Sequence, residues 1–88
     1  MSDLAVSDHA VARYAQRILH CRRLARTHAD ELRVEIVAAV RAGYIKRRAA
    51  YGIIVVHNGA HFLIRNNNVV TVLSKRCSVT YMRWAAYG

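Results

Sequence analysis

Apolar and polar residues in the first part of the chain recur at the three- to four-residue spacing of an amphipathic helix. Ser7 has the side chain of a helix N-cap, and Asp8 beside it suits the positive end of a helix dipole. The apolar side chains that share one face are those of Val11, Tyr14, Ala15 and Ile18. The opposite face carries His9, Arg13, Gln16, Arg17 and His20. The pattern predicts a first helix whose polar face is almost purely basic.

A second helix is predicted from Thr27 to about Ala42. Thr27 and Asp30 have the spacing of a cap and its acidic partner, and Gly43 is a C-terminal stop. The helix has a stronger and a weaker apolar side. The stronger side consists of Leu32, Ile36, Ala39 and Val40, and the weaker side consists of Val34, Val37 and Ala38. A helix that is apolar on two sides is usually covered on both, so we expect contact with the sheet and with either the first helix or a second subunit. A homodimer therefore remains open.

From Tyr44 onward, β-branched and aromatic residues separated by turn signals predict an antiparallel meander. The strands are expected at 50–57, 60–65 and 69–74. Asn58-Gly59 predicts a two-residue hairpin turn, and the three asparagines at 66–68 predict the next turn. The fold class is therefore α+β, with two N-terminal helices packed on a three- to four-stranded antiparallel β-sheet.

The C-terminal segment has two interpretations. Val79 and Tyr81 favour a short fourth strand followed by a frayed end, with a flexible tail at about 83–88, whereas Trp84 and Ala85 also fit one turn of helix. A chain of 88 residues is too short for two independent cores, so we expect a single domain over residues 1–88.

The charge is strongly one-sided. Fourteen Lys and Arg residues stand against five Asp and Glu residues, for a formal net charge of +9. Only Lys46 and Lys75 are lysines. Guanidinium groups pair bidentately with phosphates and stack on bases, so the excess points first to nucleic acid, RNA in particular, and second to an acidic protein partner.

Other features narrow the class of protein. Cys21 and Cys77 fit reduced, buried thiols, and a zinc site is not expected because arginines flank His20 and Cys21. The sequence has no glycine-rich phosphate loop and no carboxylate cluster for magnesium, so no cofactor is expected. The N-terminus has no signal-peptide pattern, and no apolar stretch is long enough to span a membrane. We expect a cytoplasmic protein without a membrane partner.

Candidate chemistry begins on the first helix. His9, Arg13, Arg17 and His20 project along one helical line. An imidazole can move a proton near neutral pH, and guanidiniums can hold a phosphate and the charge that builds on it. His9, Arg13 and Arg17 are therefore candidate catalytic residues of a metal-independent ribonuclease. The same residues also suit a helix that binds a nucleic-acid backbone without chemistry, or a solvated face.

Further candidates for nucleic-acid binding are basic residues at the ends of elements. They are His20, Arg22, Arg23, Lys46, Arg47, Arg48, Arg65, Lys75 and Arg76. These charges need not form one patch, because a basic run on an outer strand also prevents unwanted strand addition. His57 and His61 flank the hairpin turn and are expected to be exposed, unless the tip folds toward the first helix and supplies a second acid/base group.

The stretch SDHAVARYAQR, residues 7–17, resembles the start of small RelE-like proteins of the BECR superfamily (barnase, EndoU, colicin, RelE), especially the BrnT-like branch. Residues 61–74, HFLIRNNNVVTVLS, are similar to the ending of short proteins of this kind, some of them phage-encoded. The resemblance implies a RelE-like α+β fold and metal-independent RNA cleavage or a toxin role. It matches His9, Arg13 and Arg17 to the family's histidine and two arginines.

The sequence thus leads to two expectations of function. The first is RNA binding through the basic helix, with ribonuclease activity left open because the predicted sheet carries no clear catalytic set. The second is a small, phage-type inhibitor that binds and blocks an acidic or nucleic-acid-binding host protein without catalysis.

Overall fold

The computed structural model describes residues 4–50 and 52–74. Its elements are β1 (Ala5–Val6), α1 (Asp8–Arg17), α2 (Leu24–Thr27), α3 (Ala29–Ala42), β2 (Tyr44–Ala49), β3 (Gly52–His57), β4 (Ala60–Arg65) and β5 (Asn68–Ser74). The strands form one sheet in the order β1-β5-β4-β3-β2, in which β1 is parallel to β5 and the other neighbours are antiparallel. The α+β prediction is confirmed, with five strands in this part of the chain rather than three or four. The predicted C-terminal strand and tail lie outside the described residues.

The two additional strands lie at the edges of the sheet. β1 has two residues, Ala5 and Val6, which pair with Asn68 and Val69 of β5. β2 consists of YIKRRA, and its pairing with β3 is irregular between Ile45 and Arg47. A basic edge strand with a bulge resists pairing with other chains. The strand predicted from residue 50 begins at Gly52 instead.

Ser7 fastens the start of α1 to the sheet. Its hydroxyl oxygen accepts a hydrogen bond from the Ala10 amide at 3.0 Å, as predicted for an N-cap. The same hydroxyl donates to the carbonyl of Val70 in β5, also at 3.0 Å. One side chain therefore satisfies an orphan amide of the helix and a carbonyl on the outer edge of β5.

The ends of the other helical segments differ in part from the prediction. Thr27 does not cap the long helix, because its hydroxyl donates to the Arg23 carbonyl within the short helix α2. α3 begins at Ala29 after His28, which forms no side-chain cap hydrogen bond. α3 ends at Ala42 as predicted, and the Gly43 amide donates to the Ala39 carbonyl.

The main core lies between the helices and one face of the sheet. Its buried members are Ala10, Val11, Tyr14, Ala15, Leu32, Ile36, Ala60, Phe62, Val69 and Val72. Tyr14 and Phe62, both predicted as core residues, stack with ring centroids 6.1 Å apart. Val34 on the weaker apolar side of α3 is 71% exposed. The weaker apolar side of α3 is thus not fully covered within the described chain, and its coverage by a second subunit stays a prediction.

Candidate nucleic-acid interface and the adjoining cavity

The residues His9, Arg13 and Arg17 of α1, called here the helix surface, are the predicted catalytic set. His9 is exposed and Arg13 is half-buried. The Arg13 Nε atom donates to Nε2 of His9 at 3.4 Å, and Nη1 donates to the Gln16 side-chain oxygen at 2.7 Å. The structure thus brings an imidazole and a guanidinium into contact, because residues four apart on a helix are neighbours.

Arg17 has a structural contact that the sequence does not predict. Its Nη1 atom donates to the carbonyl of Val72 in β5 at 3.0 Å. β1 pairs with β5 only at Asn68 and Val69, so Arg17 satisfies an edge carbonyl beyond the end of that pairing. A guanidinium has five N–H donors, and Arg17 therefore keeps donors for a second ligand while it holds α1 on the sheet.

His20 does not continue the line of the helix surface, which corrects the prediction. α1 ends at Arg17, the amides of Ile18 and Leu19 both donate to the Tyr14 carbonyl, and His20 has a left-handed φ of 54°. The helix therefore ends before it reaches His20, which lies eleven residues after His9. His20 is exposed in the loop that also presents Arg22 and Arg23, two exposed residues predicted to bind nucleic acid.

Most basic residues of the described ranges have no acidic partner. Within residues 4–50 and 52–74, the ion pairs are those of Arg33 with Asp8 and with Asp30, the second at 4.0 Å. The Arg33 Nε atom also donates to the Val6 carbonyl at 3.4 Å. The helix surface and the two arginines that follow it, Arg22 and Arg23, are thus available for an anionic ligand.

The basic residues of β2 form a separate surface. Lys46, Arg47 and Arg48, called here the β2 surface, are exposed. β2 lies at the sheet edge three strands from β5, which is roughly 14 Å at the usual strand spacing, whereas α1 packs on β5. Arg65 is exposed at the end of β4, and Lys75 and Arg76 lie outside the described residues. The predicted binding residues therefore belong to more than one surface.

A cavity of about 340 Å³ lies between α1, α3 and the β3–β4 hairpin. Its polar lining comes from Tyr14, Glu35, His57 and Asn58, and its apolar lining from Ile18, Ala38, Ala39, Ala42, Ala60 and Phe62. The Tyr14 hydroxyl donates to Oε1 of Glu35 at 2.9 Å. Burial, then this hydrogen bond and the charge of Glu35, raise the pKa of Tyr14 to about 12. Tyr14 is therefore a protonated donor that orients the carboxylate.

The hairpin contributes its histidine to this cavity. His57 is half-buried, and its Nε2 atom lies 3.3 Å from the Asn58 side-chain nitrogen. His57 thus borders the same cavity as Tyr14 and Ile18, and a second acid/base group for the helix surface stays a prediction. His61 is only 3% exposed, so the prediction that it is exposed is wrong.

Glu35 is a residue of this site that was not predicted from the sequence. Its helical spacing could have indicated it. Glu35 lies three residues after Leu32 and four before Ala39, which places a carboxylate beside the main apolar side of α3. Within the described ranges no group of three His, Cys, Asp or Glu side chains is placed to hold a metal ion.

In the same part of the chain, no helix has the length and apolar character needed to cross a membrane. Comparison with protein-family models, with curated proteins and with solved structures finds no match to this chain. The resemblance to RelE-like proteins of the BECR superfamily therefore stays a prediction.

Proposed function

We propose that this protein binds RNA in the cytoplasm through the helix surface and the arginines that follow it. The observation that carries the proposal is the absence of acidic partners for these groups: Arg33 takes the ion pairs of the described residues, while Arg13, Arg22 and Arg23 have none. Unpaired guanidiniums on a chain of net charge +9 attract a polyanion and form bidentate contacts with phosphate oxygens.

The geometry favours an RNA strand that runs along α1 rather than one that crosses the whole molecule. Arg13 and Arg17 lie one helical turn apart, and the turn at His20 leads directly to Arg22 and Arg23. Contacts by these four arginines with single-stranded RNA predict a slope of log affinity against log salt of about −3. The β2 surface, on the opposite edge of the sheet, contributes to the long-range field.

The binding test uses a labelled single-stranded RNA and fluorescence anisotropy over a salt series. Arg13→Gln should weaken binding about 3- to 10-fold near 0.1 M salt and reduce the salt slope by about one. Arg41→Gln is the matched control, because it removes the same charge from an exposed position at the end of α3, away from the helix surface. Equal effects of the two variants would refute the assignment to α1. Absence of RNA binding at low salt would refute the proposal.

The contact between His9 and Arg13 favours a second candidate, metal-independent RNA cleavage. The Nε2 atom of His9 would release Arg13 and take the proton of a 2′-hydroxyl, whose oxygen attacks the adjacent phosphorus and forms a cyclic phosphate. The bond to the 5′ oxygen breaks, water protonates that oxygen, and the freed Arg13 guanidinium would stabilise the negative charge on the phosphate. His9→Ala should then abolish cleavage and retain binding. Cleavage that is unchanged in His9→Ala assigns His9 no chemical role.

The alternative of a host-protein inhibitor predicts a different result in the same system. A pull-down would give a stoichiometric protein complex that survives nuclease treatment, and purified protein would show no salt-dependent RNA affinity. That pair of results would replace the RNA proposal.

A further inference from the structure

We propose that the cavity between α1, α3 and the β3–β4 hairpin binds one unpaired nucleobase, with guanine preferred. This inference rests on the proposed RNA binding and assigns a base-reading site to it. The volume of about 340 Å³ is at the lower end of the about 300–1,000 Å³ typical of small-molecule sites. The size suits a single base better than a large cofactor.

The apolar walls of the cavity come from small residues. Ala38, Ala39 and Ala42 of α3 face the hairpin residue Ala60, and these short side chains leave space that larger ones would fill. Tyr14 and Phe62 close the inner end as a stacked, buried pair. A planar, largely apolar ring can therefore be desolvated between the helix and the hairpin.

The polar groups set which edge of a base is recognised. Tyr14 donates to Oε1 of Glu35 and orients the carboxylate, which leaves Oε2 and the remaining lone pairs as acceptors. No Lys or Arg side chain is among the described residues that line the cavity, so Glu35 has no guanidinium or ammonium partner there. The site thus presents an anionic acceptor beside an apolar space.

Guanine matches that acceptor best among the four bases. Its Watson–Crick edge carries two adjacent donors, N1–H and the N2 amino group, which suit a carboxylate. Adenine and cytosine each place an acceptor beside their amino donor, and uracil flanks its single N–H with two carbonyls. An unpaired base is recognised through hydrogen bonds of this kind in single-stranded RNA, and a charged acceptor makes them stronger.

The cavity adjoins the proposed path of the RNA backbone. Phe62 in its lining pairs across the sheet with Val72, and the Val72 carbonyl accepts the hydrogen bond from Arg17. Ile18, the next residue after Arg17, also lines the cavity. A phosphate held at the end of the helix surface therefore lies close to the place where its base would enter.

The test measures the binding of the four nucleoside 5′-monophosphates by NMR titration of the folded protein. A phosphate contact is common to all four, so differences between them report the base. We expect guanosine monophosphate to bind most tightly and to shift the signals of His57, Asn58 and the cavity alanines. Glu35→Gln should weaken the binding of guanosine monophosphate about tenfold, since the amide presents a donor to the guanine donors. The variant should therefore bind guanosine monophosphate no more tightly, or only slightly more tightly, than adenosine monophosphate.

Two further variants separate the base site from general effects. Ala42→Leu, at an exposed position of α3, should weaken all four nucleotides by filling the cavity without reducing the salt slope of RNA binding. Asp30→Asn is the charge-matched control for Glu35→Gln, since its side chain is fully exposed in the first turn of α3, and it should leave the base preference unchanged.

The outcomes distinguish this inference from the proposed function. Equal binding of the four nucleotides, or a guanine preference that survives both Glu35→Gln and Ala42→Leu, overturns the base site even when RNA binding by the helix surface is intact. Loss of the guanine preference in Glu35→Gln supports the base site. If that loss is observed while the protein binds no RNA, the proposed function is refuted and the base site stands.

Discussion

Tyr14 connects the core to the cavity, and removing its hydroxyl tests the hydrogen bond that it donates to Glu35. The ring is 6% exposed and stacks on Phe62, while the hydroxyl donates to Glu35. Tyr14→Phe keeps the ring and removes the donor. A typical intramolecular hydrogen bond contributes about 1 kcal/mol, and Glu35 is exposed and stays hydrated without its partner. We expect the variant to be about 1 kcal/mol less stable at pH 7, which lowers Tm by about 4–8 °C in a domain of this size.

The pH dependence of this difference follows from the raised pKa of Tyr14. In the folded state the pKa is about 12 against the ordinary value of 10.0. Below pH 10 the hydroxyl is protonated in both states and the stabilisation is fully present. As the pH rises from 10 to 12, the unfolded chain releases the proton first and the stabilisation is lost. The shift corresponds to at most about 2.7 kcal/mol, and solvent at Glu35 reduces it, so we expect a loss of about 1 kcal/mol by pH 11.

The assay is urea denaturation followed by far-ultraviolet circular dichroism between pH 8 and pH 11. The advantage of the wild-type chain over Tyr14→Phe should shrink from about 1 kcal/mol to near zero across this range. Tyr44→Phe is the matched control, because Tyr44 is 65% exposed and its replacement should change stability at pH 7 by less than about 0.5 kcal/mol. If the difference in free energy of unfolding between wild type and Tyr14→Phe were constant with pH, folding would not raise the pKa of Tyr14 and the prediction would be refuted.

Two predictions concern the scaffold that positions the site. Ser7→Ala should cost about 1–3 kcal/mol in chemical denaturation, because the hydroxyl both caps α1 and donates to β5. Ser7→Thr, which keeps a hydroxyl that can accept and donate, should lose less, and equal losses would contradict the role of the hydroxyl. Gly52→Ala should cost about 2–3 kcal/mol, since Gly52 has a φ of 135° and a Cβ there would lie 2.6 Å from the Ile64 carbonyl oxygen. Gly59→Ala is its control, with a φ of 80° and open space around the Cβ, and should cost only about 1 kcal/mol; an equal cost would show that the contact with Ile64 is unimportant.

Sequence patterns predict the helices better than the strands of this fold. α1 starts after Ser7 and α3 ends at Ala42 as predicted, because caps and apolar spacing act between residues that are close in the chain. The sequence does not predict β2, since the basic run at 46–48 interrupts its apolar alternation and an edge strand tolerates such residues. β1 has only two residues and is a strand because β5 lies beside it, which no local pattern reports.

The same distinction holds for the candidate site. The contact between His9 and Arg13 follows from their spacing of four residues on one helix. The end of α1 before His20 does not follow, because the helical period continues in the sequence past the point where the backbone turns. The pair of Tyr14 and Glu35 joins two helices across 21 residues, so neither residue alone indicates a site.

The α+β class, the basic face of α1, the burial of Tyr14 and Phe62 and the large positive charge can all be predicted from composition and short-range spacing. Which charges stay available and which polar groups meet depends instead on contacts between distant parts of the chain. The tertiary structure pairs Arg33 with Asp8, turns Arg17 onto the Val72 carbonyl and brings Glu35 to Tyr14 beside a cavity. The three contacts join residues that are 21 to 55 positions apart in the chain. Hydrogen bonds and cavities of that kind depend on the packing of the whole chain, which no local pattern encodes.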